Sequence, residues 1–188
     1  MIVGLYAVGQ NGEFGLNGRL PWGSFPEELA AFNDILESNK GYHILVGYKT
    51  WSTLPTSVKK RLAGLKYSIL VYAERKTREL LELSKLPNVT VITKLDYSLK
   101  DFLKDSLALV IGGASLLEEC LDQGILDGCY ISTVVNKDPG RIGFECDTAL
   151  LPPLWDEIHM PPATVFVVAS GENENLSFVQ EYHYFGTV

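Results

Sequence analysis

Residues 107–114 read LALVIGGA, an apolar run that stops at two consecutive glycines. Such a run without alternation is typical of a strand buried on both faces of a sheet, and a helical segment follows from Ala114 to about Asp122. A strand, a glycine turn and a helix start place free amides and a positive helix end where a phosphate can bind. Taken alone, the pair Gly112-Gly113 is more often a simple tight turn.

The same pattern occurs earlier, where an apolar run from Tyr42 to Val46 ends in the motif Gly47-Tyr48-Lys49-Thr50-Trp51. This turn adds a lysine and a hydroxyl group. In open α/β sheets ligands bind at the carboxyl ends of the strands. We therefore expect both turns, together with a glycine-rich loop from Gly9 to Gly23, to face one crevice.

Apolar runs alternate with helix-like segments through most of the chain. The predicted strands are 2–8, 42–46, 67–72, 89–92, 107–111 and 129–135, and the predicted helices are 24–38, 50–54, 76–86, 98–104 and 114–122. This alternation predicts an α/β fold with a mostly parallel central sheet and flanking helices. After a connection over 136–162, residues 164–170 and 178–185 are expected to form a C-terminal antiparallel strand pair. We interpret residues 1–188 as a single domain.

Composition excludes several classes of protein. The chain has 16 Lys and Arg against 23 Asp and Glu, a net charge of -7, which argues against a nucleic-acid surface. Its three cysteines lack a C-x-x-C spacing, so neither a disulfide framework nor a zinc site is indicated. The first apolar run is far shorter than the ~20 residues of a membrane span. We expect a cytoplasmic monomer, not exported, without a metal.

Glu28 is the main candidate for chemistry. The segment Ser24-Phe25-Pro26-Glu27 has the pattern of a capping box with proline in the first turn of a helix. On that helix, Glu28 shares a face with Ala31, Phe32 and Ile35. One interpretation places this carboxylate at the edge of the apolar face, where it favours the helix dipole and reaches water. The other places it in a pocket, where a ligand supplies its hydrogen-bond partners.

Short motifs follow one another along the chain in a fixed order: Ala7, Phe14-Gly15, Leu20-Pro21-Trp22, Glu28-Leu29 with Phe32, Val46-Gly47 with Thr50-Trp51, and Ile111-Gly112-Gly113-Ala114. Together they resemble the dihydrofolate reductase family, over nearly the whole chain. The resemblance implies that family's fold and the reduction of 7,8-dihydrofolate to tetrahydrofolate by NADPH. By the same resemblance, hydride would go to carbon 6 and a proton to nitrogen 5, and the product would feed one-carbon and thymidylate metabolism.

The resemblance also implies roles for individual residues. Glu28 would hold the pterin, Ser132 would support Glu28, and Trp22 would order a water near the reacting ring. The substrate would lie against apolar side chains of Leu5, Ala7, Leu29, Phe32, Leu54 and Ile111. Residues implied to contact the cofactor are Ala7, Phe14, Gly15, Leu20, Gly47, Lys49, Thr50, Tyr72, Gly112, Gly113, Ala114, Ser115, Leu116 and Thr148. The loop over 9–23 would be a mobile lid that contacts Asp147 and Thr148, and the Gly112-Gly113 peptide would be cis.

Departures from the family pattern leave alternatives open. Leu65 occupies the position where the family has the arginine that clamps the folate glutamate. The preceding segment over 55–63 holds Lys59, Lys60 and Arg61, and two interpretations stay open: one of these cations reaches the glutamate tail, or the segment is a solvated basic loop. Tyr48 occupies the position where many members of the family have an arginine that binds the 2′-phosphate of NADPH. NADH is therefore an alternative cofactor. Other functions are a related pterin or pyrimidine reductase of riboflavin-synthesis type, and a non-catalytic binding or assembly protein.

Overall fold

A computed structural model of the chain describes residues 1–75, 77–150 and 164–185. The chain forms two compact units that interleave along the sequence. The first unit contains Met1–Gly4 and Leu36–Leu126, and the second contains Leu5–Ile35 and Asp127–Val188. The first strand and the first helix each begin in one unit and end in the other.

The first unit is built on parallel strands. Its sheet has the order β5-β4-β3-β6-β1 and contains β1 (Ile2–Gly9), β3 (His43–Gly47), β4 (Ser68–Tyr72), β5 (Val89–Ile92) and β6 (Ala108–Val110). Every pairing among these strands is parallel. The central strands are almost completely buried, which explains why their sequences are continuous apolar runs rather than alternating ones. The helices of this unit are α2 (Tyr48–Thr53), α3 (Thr56–Gly64), α4 (Arg78–Leu83), α5 (Tyr97–Leu103) and α6 (Ala114–Asp122).

The second unit contains the antiparallel strands. Its part of the sheet has the order β1-β7-β10-β9, with β7 (Gly128–Asn136), β9 (Thr164–Glu172) and β10 (Leu176–Tyr184). Strand β10 pairs antiparallel with both β7 and β9. Helix α1 (Pro26–Ser38) belongs to this unit over most of its length, and β2 (Glu13–Gly15) pairs with β8 (Thr148–Ala149) in a small second sheet.

The predicted fold class is confirmed. The structure has an α/β architecture with a mostly parallel sheet and a C-terminal antiparallel strand pair, and the predicted strands occur within one or two residues of their expected bounds. Short polar residues begin two of the helices, because Thr77 and Asp96 accept backbone N–H bonds at the starts of α4 and α5. No helix in the described ranges is long and apolar enough to cross a membrane.

Several local predictions are wrong. Helix α1 begins at Pro26, so buried Phe25 rather than Ser24 immediately precedes it and Ser24 stands too early for the predicted capping box. The basic segment over 55–63 is not a loop but carries α3, in which only Leu62 is buried. The fourth helix is shorter than the predicted 76–86, whose first residue lies outside the described residues, as does 151–162 of the predicted connection.

The glycine-rich stretch over 9–23 was expected to contain neither helix nor strand. It contains β2, which pairs with β8 more than 100 residues later in the chain. A three-residue strand of this kind exists only because a distant segment completes its hydrogen bonds, and no local periodicity reports it.

Candidate active site

Glu28 is a buried carboxylate in the first turn of α1. Its side chain is only 4% exposed, and it shares the apolar face of the helix with Ala31 and Ile35. Ser132 of β7, 1% exposed, hydrogen-bonds to it. Burial raises the pKa of Glu28, and the Ser132 hydroxyl offsets part of that rise. The interpretation of Glu28 as a solvated helix cap is therefore wrong, and the pocket interpretation fits.

Gln180 of β10 extends this buried polar cluster and was missed by sequence reasoning. Its Nε2 lies 3.2 Å from Ser132 Oγ, and its side chain is 1% exposed. The two residues are direct partners in the β7–β10 register. A signal for it was present, because Gln180 continues the alternating buried positions of Leu176 and Phe178 and puts an amide where an apolar residue is expected.

Trp22 lies beside the start of the same helix. Its ring packs edge-on against Phe144, with centroids 5.5 Å apart, at the margin of a core cluster that includes Phe25 and Phe178. The indole Nε1 is buried and has no hydrogen-bond partner among the described residues. A buried donor without a protein partner fits the role that the resemblance implied for Trp22, since such groups normally bind a ligand or a water.

The loop over 9–23 is anchored by Glu13, a second buried acid that sequence reasoning missed. Its carboxylate accepts hydrogen bonds from Asn11 N at 2.8 Å, Asn11 Nδ2 at 3.1 Å and Phe144 N at 2.9 Å. Burial acts to raise the pKa of Glu13, but these hydrogen bonds outweigh it and the pKa is lowered. No local pattern could have shown this role, because the Phe144 amide lies 131 residues further along the chain.

A second set of contacts ties this loop to the residues around β8. Asp147 Oδ2 accepts a 2.7 Å hydrogen bond from Asn17 N, and Asp147 N donates to Gly15 O at 2.9 Å. Thr148 pairs with Gly15 in the β2–β8 ladder. The predicted contact of Asp147 and Thr148 with the loop is thus confirmed.

Gly143→Ala should destabilise this anchor. Gly143 has φ +82°, and a Cβ placed there would collide with the Glu13 carboxylate and the Asn11 side-chain amide. The left-handed conformation alone costs a non-glycine residue about 1–2 kcal/mol, and the contact adds to it. We expect urea unfolding to show a larger loss for Gly143→Ala than for Gly18→Ala, which shares a positive φ but has open space around it. Equal losses would mean that the packing around Glu13 is unimportant.

The remaining predicted substrate and lid residues of this unit lie on β1, the loop and α1. Leu5 is buried and Ala7 is half-buried on β1. The ring of Phe14, on β2, packs beside the Tyr6 ring, with the two ring centroids 6.4 Å apart. Phe32 is half-buried on the same helix face as Glu28. By contrast, Leu20 and Leu29 are 44% and 55% exposed, the opposite of what core packing produces for leucine.

In the first unit, the two glycine turns lie against each other. Gly47 N donates to Gly112 O at 2.9 Å, and a Cβ on Gly113 would stand 2.9 Å from Thr50 Oγ1. The Gly112-Gly113 peptide is cis, as predicted. Gly113 precedes α6 and no side chain caps that helix, so its first amides are available to an anion.

The other predicted cofactor residues near these turns differ in their solvent exposure. Lys49 and Ser115 are exposed, Leu116 is buried, and Ala114 is half-buried. Tyr72 donates its hydroxyl proton to Glu119 Oε1 at 2.8 Å. Leu54 and Ile111, predicted to line the substrate, are half-buried at the end of α2 and just after β6.

The candidate glutamate clamp shows no arginine in the expected place. Leu65 caps the C-terminus of α3 and is half-buried. Arg61 forms a 3.5 Å ion pair with Glu37 on the exposed surface, and Lys59 lies 4.9 Å from the centroid of the Trp51 ring.

Comparisons with known proteins agree with this geometry. Residues 1–156 match the family model described as dihydrofolate reductase. A dihydrofolate reductase of Escherichia phage T5 is 36% identical over 187 residues, which cover 96% of this chain and 98% of that protein. A solved dihydrofolate reductase from Enterococcus faecalis, complexed with NADP(H) and RAB-propyl, superposes with a TM-score of 0.65 at 16% identity, covering 98% and 96% of the two chains. The chain therefore belongs to the dihydrofolate reductase family.

Proposed function

We propose that this protein reduces 7,8-dihydrofolate to tetrahydrofolate with NADPH. The observation that carries the proposal is the buried Glu28–Ser132 pair, since an acid that is 4% exposed on an apolar helix face needs a ligand rich in donors to offset its burial. The 2-amino group and ring N–H of a pterin supply two adjacent donors, which a carboxylate accepts side by side. Family membership points to the same substrate.

The residues of the second unit bind and orient the pterin in this proposal. Glu28 holds the donor edge of the ring, and Ser132 fixes the carboxylate. Trp22 directs its Nε1–H to a water from which nitrogen 5 receives its proton, so Glu28 orients the substrate rather than protonating it directly. The loop over 9–23 closes over the ring and excludes bulk water. Glu13, Asp147 and Thr148 anchor this loop through their hydrogen bonds and strand pairing.

The glycine turns of the first unit fit a dinucleotide. The uncapped start of α6 offers amides and a positive dipole to a pyrophosphate, and glycine at 113 leaves the space that a Cβ would take beside Thr50. Gly112, Gly113, Ala114, Ser115 and Leu116 would hold that group, with Lys49 and Thr50 beside it. NADPH supplies the hydride when bound.

We also propose that residues 1–188 act as one domain, because β1 and α1 pass without a break from one unit to the other. The proposed location is the cytoplasm. Cys120, Cys129 and Cys146 form no disulfide among the described residues, as expected in a reducing compartment. The proposed form in solution is a monomer without a nucleic-acid partner, in keeping with the negative charge of the chain.

The proposal is tested by a substrate panel followed at the nicotinamide absorbance band. We expect oxidation of NADPH with dihydrofolate and none with a ribosylated aminopyrimidine of the riboflavin route. A parallel calorimetric titration with NADPH and with NADH identifies the preferred cofactor. Turnover of the pyrimidine alone, or absence of both binding and turnover, would replace the proposal with one of the alternative functions.

A further inference from the structure

The direction of the hydrogen bonds around Ser132 is fixed by Gln180. A serine hydroxyl has one proton to donate and lone pairs that accept, whereas an amide nitrogen only donates. Gln180 Nε2, 3.2 Å from Ser132 Oγ, therefore donates to the serine oxygen. Because the serine hydroxyl is itself buried, its single proton is left for its other partner, the Glu28 carboxylate.

Among the described residues, the side-chain amide of Gln180 has no hydrogen-bond partner other than Ser132. Its Oε1 is buried without a hydrogen-bond partner, so the contact with Ser132 is the one polar interaction that the side chain makes. A buried amide oxygen left unpaired costs folding free energy. An apolar residue would pack on this face of β10 beside Phe178 without that cost, so the amide is better explained by what it does to Ser132 than by stability.

The backbone also favours this placement. Gln180 pairs directly with Ser132 across β7 and β10, and the register of β10 with β9 shifts between Gln180 and Glu181, which leaves Val168 as an extra residue on β9. Bulges of this kind bend a strand and redirect the side chains beside them.

We propose that Gln180 is a positioning residue for Glu28, which orients the Ser132 hydroxyl so that the buried acid faces its ligand as an ionised carboxylate. The proposal rests on the proposed function only in naming that ligand as the pterin. If the amide were absent, the Ser132 proton could rotate away and Glu28 would more readily take up a proton of its own.

Other titratable groups near the cluster do not account for the effect. Tyr130 and Tyr182 lie on the same faces of β7 and β10, two positions from Ser132 and Gln180. Burial raises the pKa of Tyr130, and burial followed by the neighbouring Tyr130 raises the pKa of Tyr182 to about 12. Burial likewise raises the pKa of Tyr6 on β1. All three stay neutral where a carboxyl group titrates, and Glu27, the other acid in the first turn of α1, is exposed.

The test measures the titration of Glu28 directly, in the protein without substrate or cofactor. Glutamate labelled with ¹³C at the carboxyl carbon gives one resonance per residue, and the Glu28 resonance is the one absent from Glu28→Gln. We expect Gln180→Met to move the Glu28 midpoint upward by about 0.5 to 1 pH unit, the equivalent of one hydrogen bond. Gln123→Met, the same change at an exposed glutamine after α6, should leave it in place.

A double-mutant cycle separates positioning from packing. If Gln180 acts through Ser132, Gln180→Met should add almost nothing to the shift in a Ser132→Ala background. In the wild type, the side-chain amide protons of Gln180 should titrate with the Glu28 midpoint, a readout that requires no variant to fold. An unmoved Glu28 midpoint in Gln180→Met, the same shift with and without Ser132, or amide protons insensitive to pH would each overturn the proposal.

These outcomes are independent of the proposed function. Glu28 titrates whether or not the protein turns over dihydrofolate. The titration result can therefore be interpreted even if no substrate in the panel is reduced. Conversely, a protein with normal turnover and an unshifted midpoint in Gln180→Met would keep the function and lose the positioning role.

Discussion

Replacing Glu28 with glutamine is expected to keep the fold and to reduce dihydrofolate turnover at neutral pH by roughly ten- to a hundredfold. The amide keeps the shape of the carboxylate and can still accept the Ser132 proton with its oxygen. Its nitrogen, however, then presents donors to the donor edge of the pterin. The loss is that of a charge-assisted pair in a buried site, which is where such pairs contribute most.

The matched control for this variant is Glu27→Gln. Glu27 is the adjacent acid in the first turn of α1 but is exposed, so the same chemical change there should leave turnover nearly unchanged. Steady-state rates with dihydrofolate and NADPH compare the two. Near wild-type turnover in Glu28→Gln would show that the buried acid has only a structural role.

Relative to the wild type, the stability of Glu28→Gln should change in the opposite direction from its turnover. The pKa of Glu28 is raised in the folded protein, so the folded state binds a proton more readily than the unfolded chain. Its contribution to stability is then greatest below the unfolded pKa and declines as pH rises through the folded pKa. Glu28→Gln lacks that decline, and its melting temperature relative to the wild type should rise across the same pH window.

Whether the sequence predicts a part of the site depends on how far apart along the chain the interacting residues lie. Glu28 was found from residues three to seven positions away on one helix, and the turns at Gly47 and Gly112 from the apolar runs before them. These signals are local, because strand burial and helix periodicity are properties of short windows. The assignment of roles came from the order of motifs along the chain.

The parts that were missed depend on distant partners or on very small cores. Glu13 is held by an amide far along the chain, and β2 exists only through its pairing with β8. Helix α3 has a single buried residue, Leu62, so its apolar periodicity is too weak to distinguish from that of a basic loop. Gln180 was detectable as a polar residue on an alternating buried face, but not its partner, since strand register is a tertiary property.

The second large effect concerns Leu65, where the resemblance places an arginine. We expect the wild type to gain little affinity from the glutamate tail of folate. The nearest arginine in sequence, Arg61, is already paired with Glu37, and Lys59 lies over the Trp51 ring. Leu65→Arg should introduce a fork that binds the α-carboxylate, and one such pair is worth about 1.5–3 kcal/mol, or roughly ten- to a hundredfold in affinity.

The measurement compares dihydrofolate with a dihydropterin that lacks the glutamate, in the wild type, Leu65→Arg and Leu65→Met. The methionine variant keeps the size and apolar character of leucine and controls for disturbance of the α3 C-terminus. A ratio of the two affinities near one in the wild type and Leu65→Met, rising only in Leu65→Arg, is the expected pattern. A strong tail preference already present in the wild type, and lost in Arg61→Ala or Lys66→Ala, would instead show that a cation near the end of α3 binds the tail. If Arg61 is that cation, it must exchange Glu37 for the folate carboxylate, and Glu37→Gln would then strengthen tail binding rather than leave it unchanged.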